Sequence, residues 1–204
     1  NQIKSMNLDS IGTKYQLVSK SAVLKIQLQI VGAFNAYNSA MAATVGQIIG
    51  LNSSDIEQGL ANLPVIAGRL ESVNAGQNFT VLVDYAHTPD ALKNVLQAVK
   101  AITKNKVRLV FGATGDRDKS KRPVMGQIAS EYADYIYLTD DETYTEDANL
   151  IRNAVKEGII NAGGEPKLVE IADRREAIKK AFKDAKAGDV VILAGIGHQD
   201  YRAM

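Results

Sequence analysis

The chain has 204 residues, and its 24 Lys and Arg against 23 Asp and Glu leave a formal net charge of +1. That balance gives no electrostatic reason to expect nucleic acid or a membrane surface as a partner. The absence of cysteine excludes disulfides and thiol catalysis and fits a cytoplasmic protein, and two histidines, His87 and His198, argue against a zinc site. Hydrophobic residues make up 46%, enough to pack one large domain, or one domain and part of another. No apolar run approaches the roughly 20 residues needed to span a bilayer, and no charged-then-apolar leader opens the chain. The sequence starts mid-pattern at Asn1 without an initiator Met, so a fragment is expected.

Residues 14–31 alternate in strand fashion. Leu24, Ile26, Leu28 and Ile30 fall on one face and Lys25, Gln27 and Gln29 on the other, which predicts an antiparallel hairpin with one wet face. After Gly32 a small-residue helix is expected over 38–49, ended by Gly50, with Asn35 and Asn38 at its opening. Either Asn suits an N-cap, and two amides three residues apart also suit the edge of a base. Ser53 or Ser54 is expected to cap a short helix over 55–60.

From about residue 68 the rhythm becomes strand, helix, strand, helix. Strands are predicted over 79–83, 107–111, 135–138, 167–171 and 189–194, and helices over 90–102, 121–132, 147–162 and 173–185. Apolar strands alternating with amphipathic helices predict an α/β fold, with a Rossmann-like, mostly parallel sheet covered on both faces. The boundary falls near Pro64 to Gly68, giving domains 1–66 and 67–204.

Ligands of parallel α/β sheets bind at the C-terminal strand tips, and four tips here carry polar loops. Val81-Leu82-Val83 stops at Asp84, and Tyr85, His87, Thr88 and Asp90 follow. Thr88 or Asp90 is explained as a helix cap with Pro89 in the first turn; Asp84 and His87 are not. The loop after 107–111 has Gly112 and Gly115, then Arg117, Lys119, Lys121 and Arg122 within six positions. This suits a carboxylate or phosphate, although a solvated connecting loop has the same composition. It is not a phosphate-binding loop of the Gly-x-x-x-x-Gly-Lys-Ser/Thr kind. The third tip holds Asp140, Asp141 and Glu142, suited to a cation or ammonium group, or to a capping turn; Glu146 and Asp147 are expected at a helix N-terminus. The last strand runs into Gly195, Gly197, His198 and Gln199, where glycines let a ligand touch the main chain.

Taken together these residues resemble the Mur ligase family of peptidoglycan synthesis, most of all its tripeptide-forming (MurE-type) branch. The resemblance is carried by Phe34-Asn35-x-x-Asn38, Gly68-Arg69-Leu70-Glu71, the segment from Val83 to Leu92, Gly115-Asp116-Arg117-Asp118-x-x-Lys121-Arg122-Pro123, and Gly197-His198-x-Asp200-Tyr201. It covers the chain from about residue 12. It implies that residues 1–66 are the end of the central ATPase domain and 67–204 the Rossmann-like C-terminal domain. The family's phosphate-binding loop and carbamylated lysine are expected upstream, so no catalytic residue is assigned here and this chain alone is expected to be inactive.

The family reaction is ATP-dependent: a peptide carboxylate is phosphorylated to an acyl phosphate, and an incoming amine displaces phosphate to form an amide. The resemblance implies ATP and Mg2+, with the metal site mostly outside this chain. It implies UDP-MurNAc-dipeptide and an amino acid as substrates, and a monomeric cytoplasmic enzyme. Asn35 and Asn38 are implied to meet adenine, Arg69 the phosphates or ribose, and Asp84 and His87 the nucleotide side. Arg117 is implied to pair with the α-carboxylate of the amino acid, with Asp141, Glu142, Tyr144, Gly195 and Gln199 around it; no metal ligand is assigned. Ligases that add meso-diaminopimelate typically carry Asp-Asn-Pro-Arg where this chain has Asp141-Glu142-Thr143-Tyr144, and Gln199 replaces a usual Glu. With Tyr144 in place of that Arg and two acids beside it, L-lysine is expected, with ornithine next. A folylpolyglutamate or cyanophycin-type ligase, or a non-catalytic Mur-like binding domain, are the alternatives.

Overall fold

The computed structural model describes residues 1–9, 12–20 and 22–197. The chain divides into two compact units, Asn1–Ile66 and Ala67–Met204. Among the described residues no helix is long and apolar enough to cross a membrane.

The first unit is a three-stranded antiparallel sheet, β1 (Gln2–Asp9), β2 (Gly12–Val18) and β3 (Val23–Leu28), with helices α1 (Ala33–Ile48) and α2 (Ser53–Ala61). The alternation in β3 is the expected one: Leu24, Ile26 and Leu28 are buried while Val23, Lys25 and Gln27 are exposed. Those three pack with Tyr15, Leu17, Ala36, Ala40 and Ile56, and the Tyr15 hydroxyl shares a 2.7 Å hydrogen bond with Ser39. β1 was not anticipated, because its register shifts between Lys4 and Asn7 and Ser5 sits at φ 52°, which breaks the two-residue period. Helix α1 starts five residues before the expected Asn38. Gly32, at φ 111°, is its N-cap, so neither Asn35 nor Asn38 has that role. Asn35 is buried and donates its amide to the Val31 carbonyl at 2.8 Å, whereas Asn38 is exposed.

The second unit carries β4 (Glu71–Val73), β5 (Thr80–Asp84), α3 (Pro89–Ile102), β6 (Val107–Phe111), α4 (Lys121–Tyr132), β7 (Tyr135–Leu138), α5 (Ala148–Asn161), β8 (Leu168–Glu170), α6 (Arg174–Asp184) and β9 (Val190–Ala194). Its six strands lie in the order β4-β5-β9-β6-β7-β8. β4 runs antiparallel to β5 and every other pairing is parallel. The α/β fold with a mostly parallel sheet is therefore as read from the sequence. β4 was missed because three residues carry no period.

Every residue of β6 is buried, as a strand covered on both faces requires. Ala177 and Ala181 of α6 pack on Val110, Tyr137 and Val191, and the fully buried Leu109, Ile136 and Ile192 alternate to the other face; α3 packs against β9, α4 against α3 and α5 against α4. Three helices begin on a side-chain cap: Thr88 with Pro89 at the next position, Asp147, and Asp173. α4 and α5 approach closely at two glycines. A Cβ on Gly126 would lie 2.1 Å from the Val155 oxygen, and one on Gly158 1.9 Å from the Pro123 oxygen. At the N-terminal end of the sheet the buried Arg108 is held by Asp189 at 2.7 Å and by the Tyr137 hydroxyl at 3.1 Å; burial, with Asp184 beside it, pushes that hydroxyl up to about 12.

Candidate functional site

At the opposite end of the sheet, the loops after β5, β6, β7 and β9 surround a cleft of about 670 Å³. Tyr85, His87 and Thr88 line it from the first loop, Thr114, Arg117, Asp118 and Lys121 from the second, Asp141, Glu142 and Tyr144 from the third, and Gly195 from the fourth.

The first loop is fixed by main-chain bonds. Asp84 is 3% exposed, and its two carboxylate oxygens accept the Leu70 and Ala86 N–H groups, each at 2.8 Å. Burial pushes the Asp84 carboxyl above its usual range, opposed by those two bonds and by Arg69. Asp84 thus clamps its own turn to the Gly68–Leu70 segment and does not line the cleft. The exposed Arg69 lies 5.4 Å over the Tyr85 ring, and Tyr85 meets the His87 ring edge-on at 4.7 Å. The His87 Nδ1 lies 2.9 Å from the Tyr85 main-chain carbonyl oxygen.

The second and third loops are sewn together. The Gly115 N–H donates to the Glu142 main-chain oxygen at 2.7 Å, and a Cβ on Gly115 would lie 2.0 Å from the Thr143 main-chain oxygen, so this approach requires glycine. The structure divides the four cations that the sequence shows side by side. Arg122 is buried and pairs through both terminal nitrogens with Glu146 at 2.8 and 3.0 Å, and Lys119 reaches the same carboxylate at 3.1 Å. Lys121 turns the other way and donates to the His87 oxygen at 3.0 Å. Arg117 is exposed, with its guanidinium 5.2 Å over the Tyr144 ring. Arg117 and Lys121 therefore face the cleft, and Lys119 and Arg122 brace its wall. Burial holds the Lys121 ammonium below the usual lysine range, with Arg122 and Arg117 adding to the effect and Asp118 and Asp141 opposing it.

In the third loop Glu142 is 9% exposed and accepts the Tyr144 hydroxyl at 3.0 Å. Asp141 is 4% exposed, accepts the Glu142 N–H at 2.8 Å, and lies 3.8 Å from Arg174. Arg174 also donates to the Ala194 oxygen at 2.8 Å and so ties this loop to the end of β9. It escaped the sequence reading, although a cation in the first turn of a helix opposes the dipole and signals a partner. A Cβ on Gly195, at φ 116°, would sit 2.5 Å from the Asp141 carboxylate. Asp140 turns away from the cleft to Arg152, which also binds Glu170. His198, Gln199, Asp200 and Tyr201 lie outside the described residues. Among the described residues no three of His, Asp and Glu gather as a metal-binding group.

The strand tips of this mostly parallel α/β sheet bring two cations, three acids and two phenols around one cleft. Residues 68–197 match the family described as "Mur ligase, glutamate ligase domain", and the chain belongs to the Mur ligase family. It is 41% identical over 191 residues to the UDP-N-acetylmuramoyl-L-alanyl-D-glutamate–2,6-diaminopimelate ligase of Geobacillus thermodenitrificans, covering 94% of this chain and 39% of that protein. A solved structure of a ligase of the same name superposes with a TM-score of 0.69 at 36% identity, over 98% of this chain and 41% of the other. The folylpolyglutamate synthase of Mycobacterium tuberculosis, complexed with ADP and AMPPCP, shares the fold with a TM-score of 0.76 at 21% identity, over 95% of this chain and 44% of that one. The chain thus spans about two fifths of the length of these relatives.

Proposed function

We propose that this chain is the C-terminal part of an ATP-dependent ligase that joins an amino acid to UDP-MurNAc-L-Ala-D-Glu in peptidoglycan synthesis. The observation that carries this reading is the meeting of Arg117, Lys121, Asp141, Glu142 and Tyr144 around a single cleft in a chain of this family. A peptide carboxylate activated as an acyl phosphate and an amine must be held together for the amide to form, and positioning of this kind is the main task of such a site. In this reading the Arg117 fork holds the α-carboxylate of the amino acid. Lys121, next to the N-terminus of α4, faces phosphate oxygens. Tyr85, His87 and Arg69 present the nucleotide side, Asp84 holds their turn in shape, and Asn38 and Asn35 of the first unit are adenine contacts. Residues 1–66 are the end of the ATPase domain and 67–204 the C-terminal domain of a cytoplasmic protein.

For the amino acid we infer L-lysine, with ornithine next. Tyr144 stands where diaminopimelate-adding ligases carry Arg, its hydroxyl is engaged by Glu142, and the acids at 141 and 142 favour an ammonium at the far end of the substrate. The names of the relatives favour the competing reading, meso-diaminopimelate. The deciding experiment supplies the full-length enzyme with UDP-MurNAc-L-Ala-D-Glu, ATP and one amino acid at a time. The expected result is the highest kcat/KM for lysine. A preference for meso-diaminopimelate removes the lysine assignment, and no ATP-dependent amide with any of them removes the ligase reading.

A further inference from the structure

Two carboxylates outside the proposed contact set cross between the second and third loops in opposite directions. Glu146, from the third loop, accepts the Asp116 N–H at 2.6 Å while it holds Arg122. Asp116, from the second loop, accepts the Thr145 N–H at 3.1 Å and the Thr145 hydroxyl at 2.8 Å. Each carboxylate thus grips the main chain of the other's loop. The residue next to each proposed amino-acid contact is caught in this exchange: Asp116 precedes Arg117, and Thr145 follows Tyr144. Asp116 and Tyr144 both have left-handed backbones, at φ 50° and 49°; aspartate visits that region readily, whereas a tyrosine adopts it only when its surroundings impose it.

We propose that Asp116 and Glu146 form a reciprocal latch that sets the distance and orientation of Arg117 relative to Tyr144, and so act as positioning residues for recognition of the amino acid. This rests on the ligase reading above. Charge makes the Glu146 half specific: its two oxygens face only N–H, guanidinium and ammonium donors, and a neutral amide would set its own donor against one of them; the Asp116 half needs only acceptors, since the Thr145 hydroxyl can itself accept. The latch does not touch the nucleotide side of the cleft, so its loss should separate the two substrates kinetically.

The test uses the full-length enzyme with Glu146→Gln, Asp116→Gly, which removes the carboxylate and suits the left-handed backbone, the double variant, Glu146→Asp and Arg117→Ala, each checked for folding by circular dichroism. Either single variant is expected to raise the KM for the amino acid about tenfold or more, with the KM for ATP changed less than about twofold, because a displacement near 1 Å at a binding group has effects of this size. The double variant should cost little more than the worse single one, since either break opens the same latch, and Glu146→Asp should restore part of the loss. Equal rises in both KM values, or no change in either, would overturn the latch; if Arg117→Ala still raises the amino-acid KM selectively, the ligase reading stands without it. An enzyme that forms no amide in its natural form overturns both. Should Glu146→Gln fail to fold, Asp116→Gly and Glu146→Asp decide the question by the same comparison.

Discussion

Lys121 donates a hydrogen bond from its ammonium group to the main-chain oxygen of His87 at 3.0 Å, and so joins the second loop to the first. Its charge sits at the positive end of α4, where the dipole opposes it and burial holds its pKa down. A cation kept under such conditions suits an anionic ligand. Lys121→Met in the full-length enzyme is expected to raise the KM for ATP about tenfold or more, the scale of one charged hydrogen bond, with the amino-acid KM nearly unchanged. The dependence on pH has a definite sign. The folded value lies below the ordinary 10.5, so the unfolded chain binds the proton more tightly and stability rises as pH climbs through the shifted value. Denaturant titrations across alkaline pH should show that rise in the natural chain and not in the variant.

Tyr144→Arg places a guanidinium where the proposed pocket has a phenol. A charged hydrogen bond to a second carboxylate contributes about 1.5–3 kcal/mol. The ratio of kcat/KM for meso-diaminopimelate over lysine should therefore rise about tenfold or more. An unchanged ratio would show that residue 144 does not read the far end of the substrate.

Glu146 gives a prediction for acid. Its hydrogen bond to Arg122, with help from Lys119 and the Asp116 N–H, lowers its pKa from 4.5 to about 2. The stabilisation is complete above 4.5 and is lost as pH falls towards 2. Urea unfolding should show Glu146→Gln less stable than the natural chain at about pH 7, with the gap narrowing by about pH 3. A gap of constant size would mean that the carboxylate's charge is not what holds the loops.

Gly126→Ala and Gly158→Ala test the contact of α4 with α5. Each added Cβ would meet backbone oxygen at about 2 Å, so the helices must part, at a cost of about 1–3 kcal/mol. That corresponds to a fall in Tm of roughly 2–4 °C for each kcal/mol in a chain of this size. Gly59, in α2, is the internal contrast: nothing lies within 4 Å of its added Cβ, and Gly59→Ala should stabilise its unit by about 0.5–1 kcal/mol through helix propensity alone. Differential scanning calorimetry of the three variants separates the two effects.

Helices α3, α5 and α6 were legible because each starts on a residue whose side chain closes the first turn, Thr88, Asp147 and Asp173, before an apolar period. The strands of the second unit were legible because burial on both faces leaves unbroken runs such as Val190 to Ala194. The bulged β1 and the three-residue β4 lack any such period. Within the site, the strand tips announced the cleft, but not the sorting of Arg117 and Lys121 from Lys119 and Arg122. That sorting depends on where Glu146 lies, which local pattern does not encode. The contact of Arg174 with Asp141 depends on strand order, which periodicity leaves undefined.

β9 lies between β5 and β6, and those two strands bond only to it on their facing edges. A nascent chain that has emerged only as far as Asp189 therefore holds two disconnected ladders, β4 with β5, and β6 with β7 and β8. Vectorial folding during translation stops short of the finished sheet, and two open strand edges wait for β9 to be released. The cleft, which takes Gly195 from the end of β9, is complete only once that strand is in place.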